Sequence, residues 1–156
     1  MITTDALARP GRRDRNMQDK HGRIFQAAAA LFEAHGYAGV TTQAISERAD
    51  VGAGTLFRYA SSKDELLLMV LNQALRAALA QGAARARVLR DPVDVAVAMV
   101  APILQLGGRH AENLAVYQRQ LMFGAPGEKY RNEGLALLAG LEAAVAAGLL
   151  EQAGAR

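Results

Sequence analysis

The chain has 156 residues, of which 51% are hydrophobic and 5% aromatic, and this suffices for one compact domain or a small head with a modest body. It has no cysteine, which excludes disulfides, thiolate zinc sites and cysteine nucleophiles, and its net charge is +3. The amino terminus lacks the apolar core of a signal peptide, and the apolar run 134–150 is shorter than the ~20 residues that cross a bilayer. We therefore expect a cytoplasmic protein that makes no membrane contact.

The excess positive charge lies at the amino-terminal end. Six basic and three acidic residues occur up to Arg23, whereas the remaining 12 basic and 12 acidic residues cancel. Residues 1–16, which include Pro10 and Gly11, are predicted to form a flexible basic arm. Two interpretations of the arm stay open: a solvated tail, or a segment that lies along DNA phosphates or in a minor groove.

Residues 17–61 are predicted to form a head of three short helices, over 18–35, 42–49 and 53–59. Gly36 and Thr41 stand where a left-handed C-cap and an N-cap are needed. Asp50 opens the tight turn between the second and third helices, and aspartate tolerates left-handed geometry better than most residues. This layout is that of a helix-turn-helix.

Residues 62–156 are predicted to form a helical body. Its first helix begins at Ser62, with Glu65 at capping-box spacing, and extends to about residue 87. A second helix restarts at Asp91, runs to about residue 106 and is kinked by Pro102. Two more are expected over 110–123 and 128–151. Because no alternating β-branched run stands out, we expect an all-α fold of about seven helices.

In a helix-turn-helix the last helix of the pair enters the major groove, while most contacts go to phosphates. Hydroxyl, amide and basic side chains near the starts of the second, third and fourth helices suit phosphate oxygens. Thr55 and Arg58 are best placed to reach base edges, and the Ala53 methyl could contact thymine. The predicted DNA-binding residues are Thr41, Thr42, Gln43, Ala53, Thr55, Arg58, Tyr59 and Lys63.

The head resembles the amino-terminal region of the TetR-type bacterial transcriptional regulators. Fifteen positions carry the resemblance, within residues 28–66: Ala28, Leu31, Phe32, Gly36, Tyr37, Thr41, Ile45, Val51, Gly54, Thr55, Leu56, Tyr59, Ser62, Lys63 and Leu66. Four positions depart from the family pattern: Asp50, Gly52, Phe57 and Ala60 replace the usual Gly, Ser, Tyr and Phe.

The resemblance implies a dimeric, ligand-responsive repressor that leaves a double-stranded DNA operator when a small apolar molecule binds the body. Adaptable apolar residues and a few polar ones are candidates for lining the effector pocket; the alternative is that the apolar ones are plain core and the polar ones are exposed. These candidates are Met69, Met99, Leu104, His110, Asn113, Tyr117, Met122 and Phe123. The family normally continues with two more helices that form the dimer interface, so the resemblance predicts a shortened or truncated body, or a different dimer surface.

Two other functional classes compete with this prediction. A helical small-molecule-binding or protein-interaction module with a degenerate head is the main alternative. An enzyme is not expected, because none of the three serines stands in a G-x-S-x-G elbow and the histidines form no H-E-x-x-H pair. We accordingly predict no cofactor and no metal site.

Overall fold

The structure is a computed structural model that describes residues 11–106 and 110–154. The described residues form seven α-helices and no strand, which confirms the all-α prediction. The helices are α1 (Arg12–His35), α2 (Thr42–Arg48), α3 (Ala53–Tyr59), α4 (Lys63–Ala86), α5 (Pro92–Val100), α6 (Ala111–Phe123) and α7 (Lys129–Gly154). A 3-10 turn, Ile103–Gln105, follows α5.

Two predicted boundaries are wrong. Helix α1 begins at Arg12 instead of residue 18, so the last part of the predicted arm is helical, and residues 1–10 lie outside the described residues. The Asp14 carboxylate favours this early start because it accepts the Gly11 N–H at 3.3 Å in the first turn. Pro102 does not kink a long helix; α5 stops at Val100 and the chain tightens into the 3-10 turn.

The head is a three-helix unit closed around a small apolar core. Helix α1 contributes Ile24 and Phe32, α2 contributes Ile45 and α3 contributes Leu56, all of them at most 1% exposed. The turn between α2 and α3 depends on Asp50, whose φ of 51° confirms the left-handed conformation predicted for it. These contacts fix the angle between α2 and α3.

Helix α4 is the central element of the protein. It packs against α1 in the head and against α5, α6 and α7 in the body. Leu66, Leu67 and Leu75 are at most 1% exposed. Near its far end, Gly82 allows α5 to approach closely, since a Cβ there would stand 2.6 Å from the Met99 carbonyl oxygen. The head and body therefore share one continuous core through α4.

A buried carboxylate joins α4 to the start of α7. The predicted capping box forms only in part: the Ser62 hydroxyl accepts the Glu65 N–H at 3.2 Å, but the Glu65 side chain turns towards α7. There it accepts the backbone N–H groups of Tyr130 at 2.9 Å and Arg131 at 3.1 Å. Glu65 is 3% exposed and thus supplies from another helix the cap that the start of α7 needs.

A hydrogen-bonded network continues from this cap across four helices. Asn72, which is 1% exposed, donates to the Tyr130 carbonyl at 2.8 Å and accepts the Tyr117 hydroxyl at 2.8 Å. The Tyr130 hydroxyl in turn lies 3.2 Å from Nε2 of His21 on α1. Both ends of the Asn72 side chain are satisfied, which is the condition under which a buried amide stabilises a core.

Two helices are as long and as apolar as a membrane span, whereas none was expected from the sequence. By length and composition alone, α4 and residues 129–150 of α7 could each cross a bilayer. Half of the apolar window in α4 is buried in the fold, as is usual for the core helix of a globular protein, whereas only 6% of the window in α7 is buried. The apolar outer face of α7 is therefore not explained by the packing of one chain.

Glu65 predicts a pH-dependent contribution to stability. Burial raises the pKa of this carboxyl above its ordinary value, and the two backbone N–H groups oppose the shift only in part. The folded state therefore holds the proton more tightly than the unfolded state. The stabilisation from protonation is complete below the unfolded pKa and is lost as pH rises through the folded pKa.

We expect the free energy of unfolding of the unsubstituted protein, relative to that of Glu65→Gln, to fall as pH rises above about 4.5. Urea denaturation over about pH 4 to 8 measures this difference. Glu47→Gln, the same change at an exposed position of α2, serves as the control and should give a flat difference. A flat difference for Glu65→Gln as well would contradict the raised pKa.

Candidate nucleic-acid interface

Helix α3 lies at the surface of the head with one face outward. Leu56 is fully buried and anchors the helix, while Ala53 and Arg58 are exposed and Thr55 and Tyr59 are half-buried. The helical period puts Arg58 nearly opposite Leu56, while Ala53 stands at the first position of the helix. The predicted base-reading residues therefore lie on an accessible face.

The start of α2 combines a capping role with exposure. The Thr41 hydroxyl accepts the Ala44 N–H at 3.1 Å, as expected for an N-cap. Gln43 is exposed, and its amide donates to the Glu47 carboxylate at 2.8 Å, while Thr42 is half-buried. None of these arrangements prevents a contact with a phosphate, and that contact stays a prediction.

Lys63 is held inside the head instead of projecting freely. Its ammonium donates to the carbonyl oxygens of Tyr37 at 2.8 Å and Val40 at 2.9 Å and lies 4.0 Å from the centroid of the Tyr37 ring. Two carbonyls and an aromatic face therefore balance this cation at the start of α4 without a phosphate. A phosphate contact by the remaining N–H of the ammonium stays a prediction.

A basic cleft of about 380 Å³ separates the outward face of α3 from the start of α1. Three of the predicted DNA-binding residues meet there with four residues of α1. The Tyr59 hydroxyl donates to the Met17 carbonyl at 3.2 Å and ties the two helices together. The lining residues of this basic cleft are Arg13, Asn16, Met17, Lys20, Thr55, Arg58 and Tyr59.

The sequence analysis did not predict that these α1 residues lie beside α3. It placed Arg13 and Asn16 in a flexible arm, where a residue has no fixed neighbour. The available signal was the spacing of residues 13, 16 and 20, which share one face once the helix begins early enough.

The sequence of the head matches that of a known protein family. Residues 24–70 match the family model described as "Bacterial regulatory proteins, tetR family", and this range covers α2, α3, the second half of α1 and the start of α4. The head is therefore similar to that of the TetR family, and it is called the TetR head below for this similarity.

Curated relatives match the TetR head and its surroundings. The HTH-type transcriptional repressor KstR of Mycolicibacterium smegmatis is 40% identical over 73 residues, which are 42% of this chain and 36% of that protein. KstR of Rhodococcus jostii is 44% identical over 54 residues, which are 35% of this chain and 26% of that protein. The match thus spans about a third of the relatives' length or less.

Solved structures resemble the whole chain in fold. The fatty acid degradation regulator FadR of Bacillus halodurans is 20% identical, with a TM-score of 0.55 over 92% of this chain and 69% of its own. The TetR family regulator PfmR of Thermus thermophilus is 22% identical, with a TM-score of 0.54 over 84% and 72%. At this identity the likeness concerns the fold alone, which is a three-helix head on a helical body.

The effector candidates do not converge on one pocket. Asn113 and Tyr117 are buried and use their side chains to bond the Phe32 carbonyl and Asn72, while Met69 is buried core. Leu104, Met122 and Phe123 are 68–77% exposed, and His110 is half-buried at the start of α6.

Met99 lines an apolar groove of about 260 Å³ between α4, α5 and α7. The groove is lined by side chains from these three helices. Its lining residues are Leu79, Ala83, Met99, Ala136, Leu137, Gly140, Leu141 and Ala144. Among residues 11–106 and 110–154, no group of three His, Asp or Glu side chains is positioned to hold a metal ion.

Proposed function

We propose that the protein is a sequence-specific DNA-binding transcription regulator, a dimeric repressor that releases its operator when a small apolar effector binds the body. The single observation that carries this proposal is the TetR head with the outward face of α3 free at the surface. Proteins of this family are transcription factors and not enzymes, which agrees with the chain's lack of a catalytic motif. The cytoplasm, where such an operator is accessible, is the proposed location.

Base reading is assigned to the outward face of α3. Thr55 and Arg58 stand one helical turn apart, so both side chains can enter a major groove together. Thr41, Thr42, Gln43, Ala53, Tyr59 and Lys63 surround them and are assigned to backbone and methyl contacts. Phosphate contacts of this kind orient the head, while the base contacts supply the specificity.

The apolar groove between α4, α5 and α7 is the proposed effector site. Its volume of about 260 Å³ approaches the lower end of the range for small-molecule pockets, and its lining is apolar. Two of its three helices also reach the head. Helix α4 carries Lys63, which donates to the carbonyls of Tyr37 and Val40, and α7 carries Tyr130, whose hydroxyl lies beside His21. An effector that favours a different separation of these helices therefore shifts the position of the head.

Dimerisation is assigned to the outer face of α7. This helix carries Leu135, Leu138, Glu142, Val145 and Leu149, whose alternating spacing of three and four is that of a coiled-coil seam. The three leucines are 37–39% exposed, whereas the opposite face of α7 lines the groove.

A second copy of the chain is the proposed partner on this seam, because two heads about 34–36 Å apart are needed to grip successive major grooves. Glu142 interrupts the seam near its middle, and a polar residue at one seam position fixes the register of a helix pair at some cost in stability. The seam also gives the apolar surface of α7 a role that does not require a membrane.

Selection of bound duplexes from a random-sequence DNA pool tests the DNA-binding proposal. We expect enrichment of a pseudo-palindrome, and Arg58→Ala should weaken binding to that duplex by about 5- to 150-fold with little effect on a scrambled duplex. Arg85→Ala, at an exposed position of α4 remote from the head, should leave both affinities unchanged. Absence of any salt-sensitive enrichment would instead support a binding module with a degenerate head.

Sedimentation of substituted proteins tests the seam. The unsubstituted protein should sediment as a dimer, and Leu138→Glu should shift it to monomer and lower its operator affinity, because a charge replaces an apolar seam residue. Ala143→Glu adds the same charge to an exposed position off the seam and should leave the dimer intact. A monomeric unsubstituted protein, or a dimer that survives Leu138→Glu, would exclude this interface.

Filling the groove tests the effector site. A Cβ on Gly140 would meet no atom within 4 Å, so Gly140→Leu places a side chain in open groove space without forcing a clash. We expect saturable binding of the uncharged apolar dye Nile red to weaken at least several-fold in this variant. Ala143→Leu, exposed on the same helix outside the groove, should bind the dye normally. Equal dye affinity in both variants would place the effector elsewhere.

A further inference from the structure

The first turns of α1 extend ahead of the region that matches the TetR family model. The match begins at residue 24, whereas α1 begins at Arg12. Arg13, Asn16 and Lys20 lie at spacings of three and four within this extension and therefore share one helical face. That face forms one wall of the basic cleft, and α3 forms the other.

The basic cleft carries three positive charges and no acidic lining residue. Arg13 and Lys20 come from α1 and Arg58 from α3, and all three are exposed. The acidic residues on the same stretch of α1 are engaged elsewhere: Asp14 accepts the Gly11 N–H, and Asp19 forms an ion pair with Arg23 at 3.3 Å. In the described part of the chain, no carboxylate lies within ion-pair distance of the three cleft cations.

The two walls of the cleft are held at a fixed separation. The Tyr59 hydroxyl donates to the Met17 carbonyl, and the His21 ring lies 5.8 Å from the Tyr59 ring. Two guanidinium groups, an ammonium and the Asn16 amide therefore line the space between the two walls. Guanidinium groups match the geometry of phosphate oxygens especially well.

We propose that the basic cleft binds a backbone phosphate of double-stranded DNA, next to the base pairs that α3 reads, and that the extension of α1 acts as a second wall of the DNA-binding surface. This inference rests on the proposed function, since it places one more contact on the same DNA. Arg13 and Lys20 carry the charge and Asn16 supplies a neutral donor, while Arg58 on the α3 side remains assigned to base reading. The contact sets orientation and affinity and is indifferent to base sequence.

The salt dependence of DNA binding tests the proposal. Each cation that neutralises a phosphate adds about 0.9 to the slope of log K against log salt. The doubly substituted protein Arg13→Ala/Lys20→Ala should therefore bind the duplex selected by the unsubstituted protein with a slope smaller by about 1 to 2. The ratio of its affinities for selected and scrambled duplexes should stay unchanged, because the lost contact reads no base.

Arg12→Ala/Arg15→Ala is the matched control. It removes the same net charge from the first turn of α1, but neither residue lines the cleft. Its salt slope should stay within about 0.5 of the unsubstituted value. All four positions are exposed, and thermal melts are expected to be unchanged for both variants.

Three outcomes of these measurements distinguish the phosphate site from the proposed DNA-binding function. A smaller slope in the cleft variant alone supports the phosphate site. Equal slopes in the cleft and control variants, with the unsubstituted protein binding its duplex normally, overturn the phosphate site and leave the proposed function standing. Failure of the unsubstituted protein to bind any duplex in a salt-dependent way overturns both.

Discussion

The hydrogen bonds from the start of α7 to Glu65 hold the protein together as one unit. Two backbone N–H groups that no residue of α7 can satisfy meet a carboxylate from the third position of α4. Burying a charge is costly unless it is fully bonded, and here the same bonds that offset its cost place α7 against α4. Asn72, two turns further along α4, bonds the Tyr130 carbonyl and repeats the constraint.

This arrangement explains why head and body cannot be treated as independent parts. Helix α4 begins beneath the head, where Lys63 holds the carbonyls of the α1–α2 connection, and it ends against α5. Helix α6 contributes its own link, because Asn113 donates to the Phe32 carbonyl near the end of α1 at 3.0 Å. A displacement in the body therefore reaches the head through several directional bonds as well as through apolar packing.

Local features of the sequence were sufficient to predict much of this fold. The bounds of α3, the caps at Thr41, Ser62 and Asp91, and the left-handed Asp50 all follow from rules that involve only near neighbours. The start of α1 was missed because charge and Pro10-Gly11 suggested an arm, whereas Asp14 helps to begin a helix there.

The contacts that organise the site could not be predicted in the same way. Glu65 reaches residues 65 and 66 positions away, and no local pattern distinguishes that from the capping box expected at Ser62. The effector candidates were chosen by residue type, but type does not determine whether Tyr117 lies in the core or Phe123 faces solvent. The basic cleft required both the early start of α1 and its angle to α3.

The close approach at Gly82 has a mechanical consequence. Side chains in contact can change rotamer. At Gly82 the backbone of α4 faces the Met99 carbonyl of α5 directly, and backbone atoms have no such freedom. Helices α4 and α5 must consequently travel as a single rigid piece near Met99. A molecule that enlarges the neighbouring apolar groove must therefore displace α7, whose outer face is the surface proposed to contact the second copy of the chain.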